Sequence, residues 1–311
     1  MANQTYPGSS TSVVTTANAA TFIPELWSDE IIAAYKQNLV MANLVSKMSF
    51  KGKKGDTLHI PKPTRGSAAV KAASTQVTLI AATETEIQVL VNKHYEYSRL
   101  IEDITETQAL ASLRKFYTGD AGYALAKQVD VDLIQLGRGA AGGNGTAAYN
   151  GAVLAGDGST AYVDGTNVGN AITDAGIRRI IQTLDDADVP MDGRCLVLPP
   201  SARNTMMGLA RFTEQAFTGE TGGGNTIRNG EIGNVYGVKV YVTTNCDTAT
   251  TTTTRVGMMF HKEAFVLAEQ MGVRSQTQYK QEYLGTLFTS DMLYGVKELR
   301  DEAAVSIALI A

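Results

Sequence analysis

The sequence predicts an α+β protein made of unusually long elements that associates with other copies of itself. Three observations predict it. Residues 86–101 alternate apolar and polar side chains along their whole length. A capped helical run of about thirty residues follows directly. The second half then mixes helices and strands without regular βαβ repetition. A strand and a rod of such length reach beyond the core they start from, and a long exposed strand edge aggregates unless something covers it. Self-association is the simplest cover.

Composition sets the outer limits. The chain has 311 residues, 44% of them hydrophobic and 19% charged, with a net charge of −4. Such a chain has ample apolar surface for one large or two modest domains. No run approaches the roughly 18 apolar residues of a membrane span, and Met1 to Ala20 lacks the basic start and apolar stretch of a secretion signal. The mild acidity argues against a dedicated nucleic-acid binder, so any contact with DNA is local and weak. Cys195 and Cys246 share no metal-ligand or CxxC spacing and read as buried, reduced hydrophobes.

Taken in order, the first twenty residues are small, polar and aperiodic, an arm that cannot order itself. After Pro24, WSDEIIAAYKQNLVMANLV fits a helix, with Ser28 as N-cap and Trp27 and Ile32 as a hydrophobic staple. Residues 47–71 carry Lys47, Lys51, Lys53, Lys54, Lys62, Arg65 and Lys71 against one acid, Asp56, in a glycine- and proline-broken region. This predicts a basic extended loop, either solvated or laid on an acidic patch of another subunit.

In the alternating run, Ile87, Val89, Val91, Tyr95, Tyr97 and Ile101 share one face; Gln88, Asn92, His94, Glu96 and Ser98 share the other. As one strand it spans roughly 50 Å, although a bend near Lys93 could divide it. Thr105 with Gln108, or Asp103 with Glu106, marks the helix start, and the helix continues to Leu136. Gly119 and Gly122 predict a bend or close packing within it. Ten glycines between Gly137 and Gly169 mark a flexible connection or insertion and a domain boundary. Beyond it, Thr173 to Asp186 is helical through Ile177, Ile180, Ile181 and Leu184, and CLVLPP is a buried strand ending at Pro199. Ser201 caps a short helix, and EIGNVYGVKVYVTT forms two strands around Gly237.

Chemical motifs are few. Gly137, Gly139 and Gly142 fit G-x-G-x-x-G, but the fingerprint needs a strand before it and a helix after it, and here a helix precedes it. His261 and Glu263 form an H-x-E pair without the PCxxC that zinc deaminases require. His59 and His94 have no carboxylate or cysteine at ligand spacing, and Asp185, Asp186 and Asp188 read as solvated acids at a helix end. No HExxH, G-x-S-x-G or Walker A sequence occurs. The expectation is a protein that is not an enzyme, with no catalytic residues, cofactor or metal.

Several segments in order resemble tailed-bacteriophage major capsid proteins. FIPELWSDEIIAAYKQNLVMANLV resembles that family's arm; KGDTLHIPKP with QVTLIAATETEIQVLVNKHYEYSRLIED resembles its extended loop and return strand. MDGRCLVLPPSARNTMM and GEIGNVYGVKVYVTTN resemble its axial domain, and MMFHKEAFVLAEQ opens the closing strands. The resemblance covers the chain from about Thr21 onward. It implies a Hong Kong 97-type fold: an N-terminal arm (1–50), an extended β loop (51–85), a peripheral domain with a spine helix (86–138), an axial domain (139–254) and closing strands of both domains (255–311).

It also implies hexamers and pentamers around double-stranded DNA in a virion capsid assembled in the host cytoplasm, with no membrane partner. A portal protein, a separate scaffolding protein and a cement protein would be its other partners. The expected subunit-interface set is Trp27, Lys53, Lys54, Lys62, Arg65, Tyr95 and Tyr97. Some family members crosslink through a lysine–asparagine isopeptide. No asparagine follows Asn245 here, and Leu284 lies near where it would fall, so no crosslinking is expected. The competing readings are an encapsulin shell of the same fold, an oligomeric enzyme with glycine-rich lid loops, and a tail or baseplate protein.

Overall fold

The structure, a computed structural model, describes residues 39–49, 51, 55–63, 66–77, 79, 84–103, 112–140, 154–159, 162, 168–209, 233–246 and 253–310. Two sheets and a separate ribbon organise it. The four-stranded sheet has the order β1 (Ser46–Ser49), β10 (Phe265–Lys280), β11 (Gly285–Glu298), β4 (Lys93–Glu102). The six-stranded sheet runs β5 (Leu154–Ala155), β12 (Ala304–Ile310), β9 (Thr254–His261), β6 (Arg194–Leu198), β8 (Val238–Val242), β7 (Asn234–Val235). The ribbon is β2 (Thr57–Pro63) paired antiparallel with β3 (Glu84–Leu90).

The alternating run is two strands instead of one. It breaks after Leu90, sending β3 to the ribbon and β4 to β11. The faces predicted by alternation survive the break, since Val89 and Val91 are buried while Gln88, Asn92, His94 and Glu96 are exposed. The break is where the ribbon crosses β11. A Cβ on Gly295 would collide with the Leu90 carbonyl oxygen, so a glycine at that crossing lets the two backbones meet.

Helix α1 (Met41–Leu44) leads into β1, and the long helix α2 runs Ser112–Ala140. The expected cap residues Thr105, Glu106 and Gln108 lie outside the described residues. Gly119 and Gly122 do not mark close packing: a Cβ on either would meet nothing within 4 Å. The helix packs against β11 and β4, and its buried acids explain its orientation. Asp130 Oδ1 accepts the N–H groups of Val40 (3.1 Å) and Met41 (2.7 Å) at the start of α1, and its Oδ2 accepts Asn245 Nδ2 at 2.9 Å. Three donors answer a carboxylate that is 1% exposed, as burial of a charge demands.

The second half follows its periodicity. Helix α3 (Asp174–Asp186) buries Ile177, Ile180 and Leu184, and Thr173 Oγ1 caps it by accepting the Gly176 N–H at 3.0 Å. β6 is buried throughout. β7 and β8 turn through Tyr236 (φ 50°) and Gly237 (φ 84°), the paired left-handed residues of a two-residue hairpin. Ser201 does not cap helix α4 (Pro200–Met207). Pro200 starts that helix without a side-chain cap, its missing N–H being no loss there, and the Ser201 hydroxyl donates instead to the Ile310 carbonyl at 3.1 Å. The glycine-rich stretch is in part sheet, since Leu154 and Ala155 pair parallel with β12 and Ala155 is buried.

The core is continuous across both sheets. One cluster joins Met41, Leu125, Leu133, Val197, Phe260, Phe265 and Tyr294, and a second packs α3 and α4 against Leu196, Met259 and Ile307. Among the described residues, no helix is long and apolar enough to cross a membrane.

Candidate subunit-contact surfaces

The ribbon has a firm root. Leu58 and Ile60 of β2 pack with Val89 and Val91 against Val266 and Ala268 of β10. Polar ties hold the same end: the Val91 N–H donates to the Asp56 carbonyl at 2.7 Å, Gln270 Nε2 to the Gly55 carbonyl at 2.9 Å, and Lys51 pairs with Glu269 at 3.1 Å. On the outward face, Glu86 receives Gln88 Nε2 at 2.6 Å and lies 3.0 Å from His59 Nδ1. Those two contacts, Gln88 first, hold the Glu86 carboxyl below its ordinary range. The group is fully exposed, so the pairing orders the ribbon more than it stabilises it.

Beyond Pro63 the described chain has no sheet partner until β3. Residues 66–77 are exposed, and Val70, Val77 and Leu79 stand open to solvent, Leu79 at 90% exposure. Apolar side chains left open on an anchored segment are what a partner surface covers.

The opposite arrangement holds where β4 meets α2. Tyr95 stacks on Tyr294 with ring centroids 5.9 Å apart. The Tyr97 hydroxyl donates to Asp120 Oδ2 at 3.1 Å and accepts Arg99 Nε at 3.0 Å, while the Arg99 guanidinium lies 4.8 Å from the centre of the Tyr117 ring. Deeper in, Asp132 accepts the Tyr294 hydroxyl at 2.6 Å, Lys93 Nζ at 2.9 Å and Gln128 Nε2 at 3.0 Å. Burial, reinforced by Asp132, pushes the Tyr294 hydroxyl far above its ordinary range, so it stays a donor.

The β10–β11 hairpin forms a third surface. At its tip Leu284 adopts φ 44° and is exposed, next to exposed Tyr283 and Tyr279. Tyr279 donates to Asp103 at 2.7 Å. Midway along, Asp291 takes Arg274 Nε at 2.7 Å and a second guanidinium nitrogen at 2.9 Å, with His94 Nε2 at 3.0 Å. Arg274, then His94, holds the Asp291 carboxyl down to about 2.

These placements sort the expected interface set. Lys62 is exposed on β2. Tyr95 and Tyr97 are half-buried against the chain's own long helix, so alternation found their face correctly but the helix beneath it already fills that face. Trp27, Lys53, Lys54 and Arg65 lie outside the described residues. His59 and His94 each have a carboxylate partner from a paired strand, which sequence spacing could not reveal.

His261 closes β9 with its Nδ1 accepting the Glu263 N–H at 3.3 Å. Among the described residues no three His, Cys, Asp or Glu side chains gather to hold a metal ion. Both cysteines are buried, and burial pushes the Cys195 thiol up to about 12, far from a reactive thiolate. Gly137 and Gly139 fall inside α2, so the dinucleotide pattern has no strand ahead of it.

Comparison with known proteins agrees with this architecture. Residues 20–310 match the family described as phage capsid protein. No curated protein matches the sequence. Among solved structures, a chain of Mycobacterium phage Che8 is 24% identical, with 92% of this chain and 97% of that chain covered at a TM-score of 0.73. The capsid of Cyanophage P-SCSP1u is 18% identical, with 99% of each chain covered and a TM-score of 0.74. The capsid of a native GTA particle is 8% identical, with 95% of this chain and 98% of that chain covered at 0.66. At these identities the likeness shows a shared fold.

Proposed function

The chain belongs to the phage capsid protein family, and from that premise we propose that the ribbon and the segment beyond it are the main contact between neighbouring copies. The protein is a major capsid protein of a tailed phage, a structural subunit whose copies assemble into the head shell of the virion. The encapsulin and enzyme readings are not favoured beside that family match. The division of labour inside the shell is our reading. The four-stranded sheet with α2 is the peripheral part of the subunit, and the six-stranded sheet is the axial part that lines hexamers and pentamers. A separate scaffolding protein, a portal protein and a cement protein are its proposed partners, and double-stranded DNA touches it only through weak, non-specific contacts. No catalytic step is assigned to any residue.

One observation carries the contact proposal: an apolar and polar root fixes the ribbon, yet Val70, Val77 and Leu79 beyond it have no cover from the described chain. The basic residues Lys53, Lys54, Lys62 and Arg65 add charge that selects an acidic surface of the neighbour, setting partner and register more than affinity. Electron microscopy of Lys53→Glu with Lys54→Glu tests this. The double variant should keep the subunit's circular dichroism and thermal melt but form no closed shells. Shells of normal size and yield would remove these lysines from the interface.

A further inference from the structure

The two edges of the β2–β3 ribbon are not equivalent. Its ladder runs from Thr57 opposite Leu90 to Pro63 opposite Glu84, and just beyond it the Val91 N–H donates to the Asp56 carbonyl at 2.7 Å. Opposed residues of an antiparallel pair alternate: one pair exchanges backbone hydrogen bonds, and the next turns its N–H and C=O groups outward. Counting from Asp56 and Val91, the bonded pairs are Leu58 with Val89, Ile60 with Ile87 and Lys62 with Thr85. Thr57, His59, Pro61 and Pro63 then face outward on β2, and Glu84, Glu86, Gln88 and Leu90 face outward on β3. Two further observations fix the same phase. Proline has no N–H to give to a partner strand, and both prolines of β2 fall at outward positions. The Leu90 carbonyl, also outward, is the group that meets Gly295.

The outer edge of β2 therefore lacks the donors that a further strand needs at Pro61 and Pro63, and cannot be extended. The outer edge of β3 keeps a donor and an acceptor at each of Glu84, Glu86 and Gln88, and among the described residues no strand pairs with it. An open edge is a template for strand addition. Here it is a selective one, because Glu84 and Glu86 are exposed along it and favour a strand that brings basic side chains. The chain itself carries such a strand: residues 66–77 are exposed and unpaired in any sheet, and Lys71 is their only charged residue.

Given the ribbon as the contact between neighbouring copies, on which this rests, we propose that residues 66–72 of one copy add as a strand to the β3 edge of the next. The outward groups of Glu84, Glu86 and Gln88 form the new ladder, Lys71 meets the acidic face, and Val70 gains the cover it lacks. Segment and edge are different surfaces, so the contact is heterologous and closes copies into rings. Pro61 and Pro63 limit the ribbon to one added strand, which keeps the association from spreading sideways.

Hydrogen exchange of the full chain, read residue by residue in free subunits and in shells, tests it. The amides of Glu86 and Gln88 should exchange fast in the free subunit and slow by at least about tenfold in the shell, roughly the worth of one net hydrogen bond. Those of Thr85 and Ile87, bonded to β2, should be slow in both states. Protection of 66–77 without slowing at Glu86 and Gln88 would overturn strand addition while leaving the ribbon a contact; protection at neither would remove both. Slow exchange at Glu86 and Gln88 already in the free subunit, or slowing that disappears once a scaffolding protein leaves, would give the edge to another occupant and sink the proposal. A second arm uses Glu86→Pro, which removes an outward N–H as Pro61 and Pro63 do on β2. Its free subunit should keep Thr85 and Ile87 protected but form no closed shells, whereas Glu86→Gln, which keeps the N–H, should assemble. Normal shells from Glu86→Pro, or equal failure of both variants, would contradict a backbone edge. If Glu86→Pro does not fold, the exchange pattern of the wild type decides.

Discussion

The seam between α2 and the four-stranded sheet answers its own polar groups, whereas the β2–β3 ribbon leaves its apolar end open. In the seam Asp132 takes three donors and Tyr294 is fully buried, and on the other side of the same helix Asp130 takes three more from Val40, Met41 and Asn245. In the ribbon the outward polar cluster is exposed, and the segment beyond it holds Val70, Val77 and Leu79 in solvent. Both regions rest on the same sheet and both contain long elements. The difference is that one is completed within the chain and the other is left open by it, for a second copy to cover in the proposed assembly. A shell subunit needs both, a rigid body to carry the surface and an unfinished surface to join.

Breaking the seam should cost the most. Asp132→Ala removes the acceptor of Tyr294, Lys93 and Gln128 and should lower subunit stability by about 3–5 kcal/mol, the usual consequence of stranding buried partners. Urea denaturation of the unassembled subunit measures it, and a loss below about 1 kcal/mol would erase the contrast between the regions. At the crossing, Gly295→Val drives a side chain into the Leu90 carbonyl. Overpacking of that kind costs about 1–3 kcal/mol, and it should displace the ribbon while leaving the seam intact. Faster hydrogen exchange confined to 57–63 and 84–90, with loss of shells, is the expected signature.

A smaller effect should come from Asp291, which ties β4 to the hairpin. Its carboxyl lies at about 2 against an ordinary 3.8, so its stabilisation is present above about 4 and is lost as pH falls through about 2. Asp291→Asn should lower thermal stability at neutral pH and flatten the acid limb of the melting profile. The smallest is Gly122→Ala. The site is open, so helix propensity alone should raise stability by up to about 1 kcal/mol, and a loss on denaturation would reveal packing the open site does not suggest.

Much of the fold was legible because it is local. Period-two alternation identified both faces of residues 86–101, and 3.6-residue periodicity with Thr173 identified α3 and its buried isoleucines. Tyr236–Gly237 announced its own hairpin. What stayed hidden depends on partners distant in sequence. Asp130 meets residues 89 and 115 positions away, and His94 meets Asp291 across 197. No spacing rule reaches that far. Ser201 was misplaced because a serine beside a helix start can cap it or reach outward, and here the end of β12 supplies the acceptor. The close approach of Gly295 to the Leu90 carbonyl is equally distant in sequence and shows only in the fold. For the proposed contact surface, the sequence offered a basic loop and its charge. It could not tell that Tyr95 and Tyr97 face the chain's own helix.

Hydrogen exchange of the same full-length chain before and after assembly into shells tests the central contrast most directly. Peptides over 66–77 should exchange freely in the unassembled subunit and gain protection in the shell, while peptides over 121–136 in the long helix should be protected alike in both states. A segment at 66–77 that exchanges as fast in closed shells as in free subunits would contradict the account.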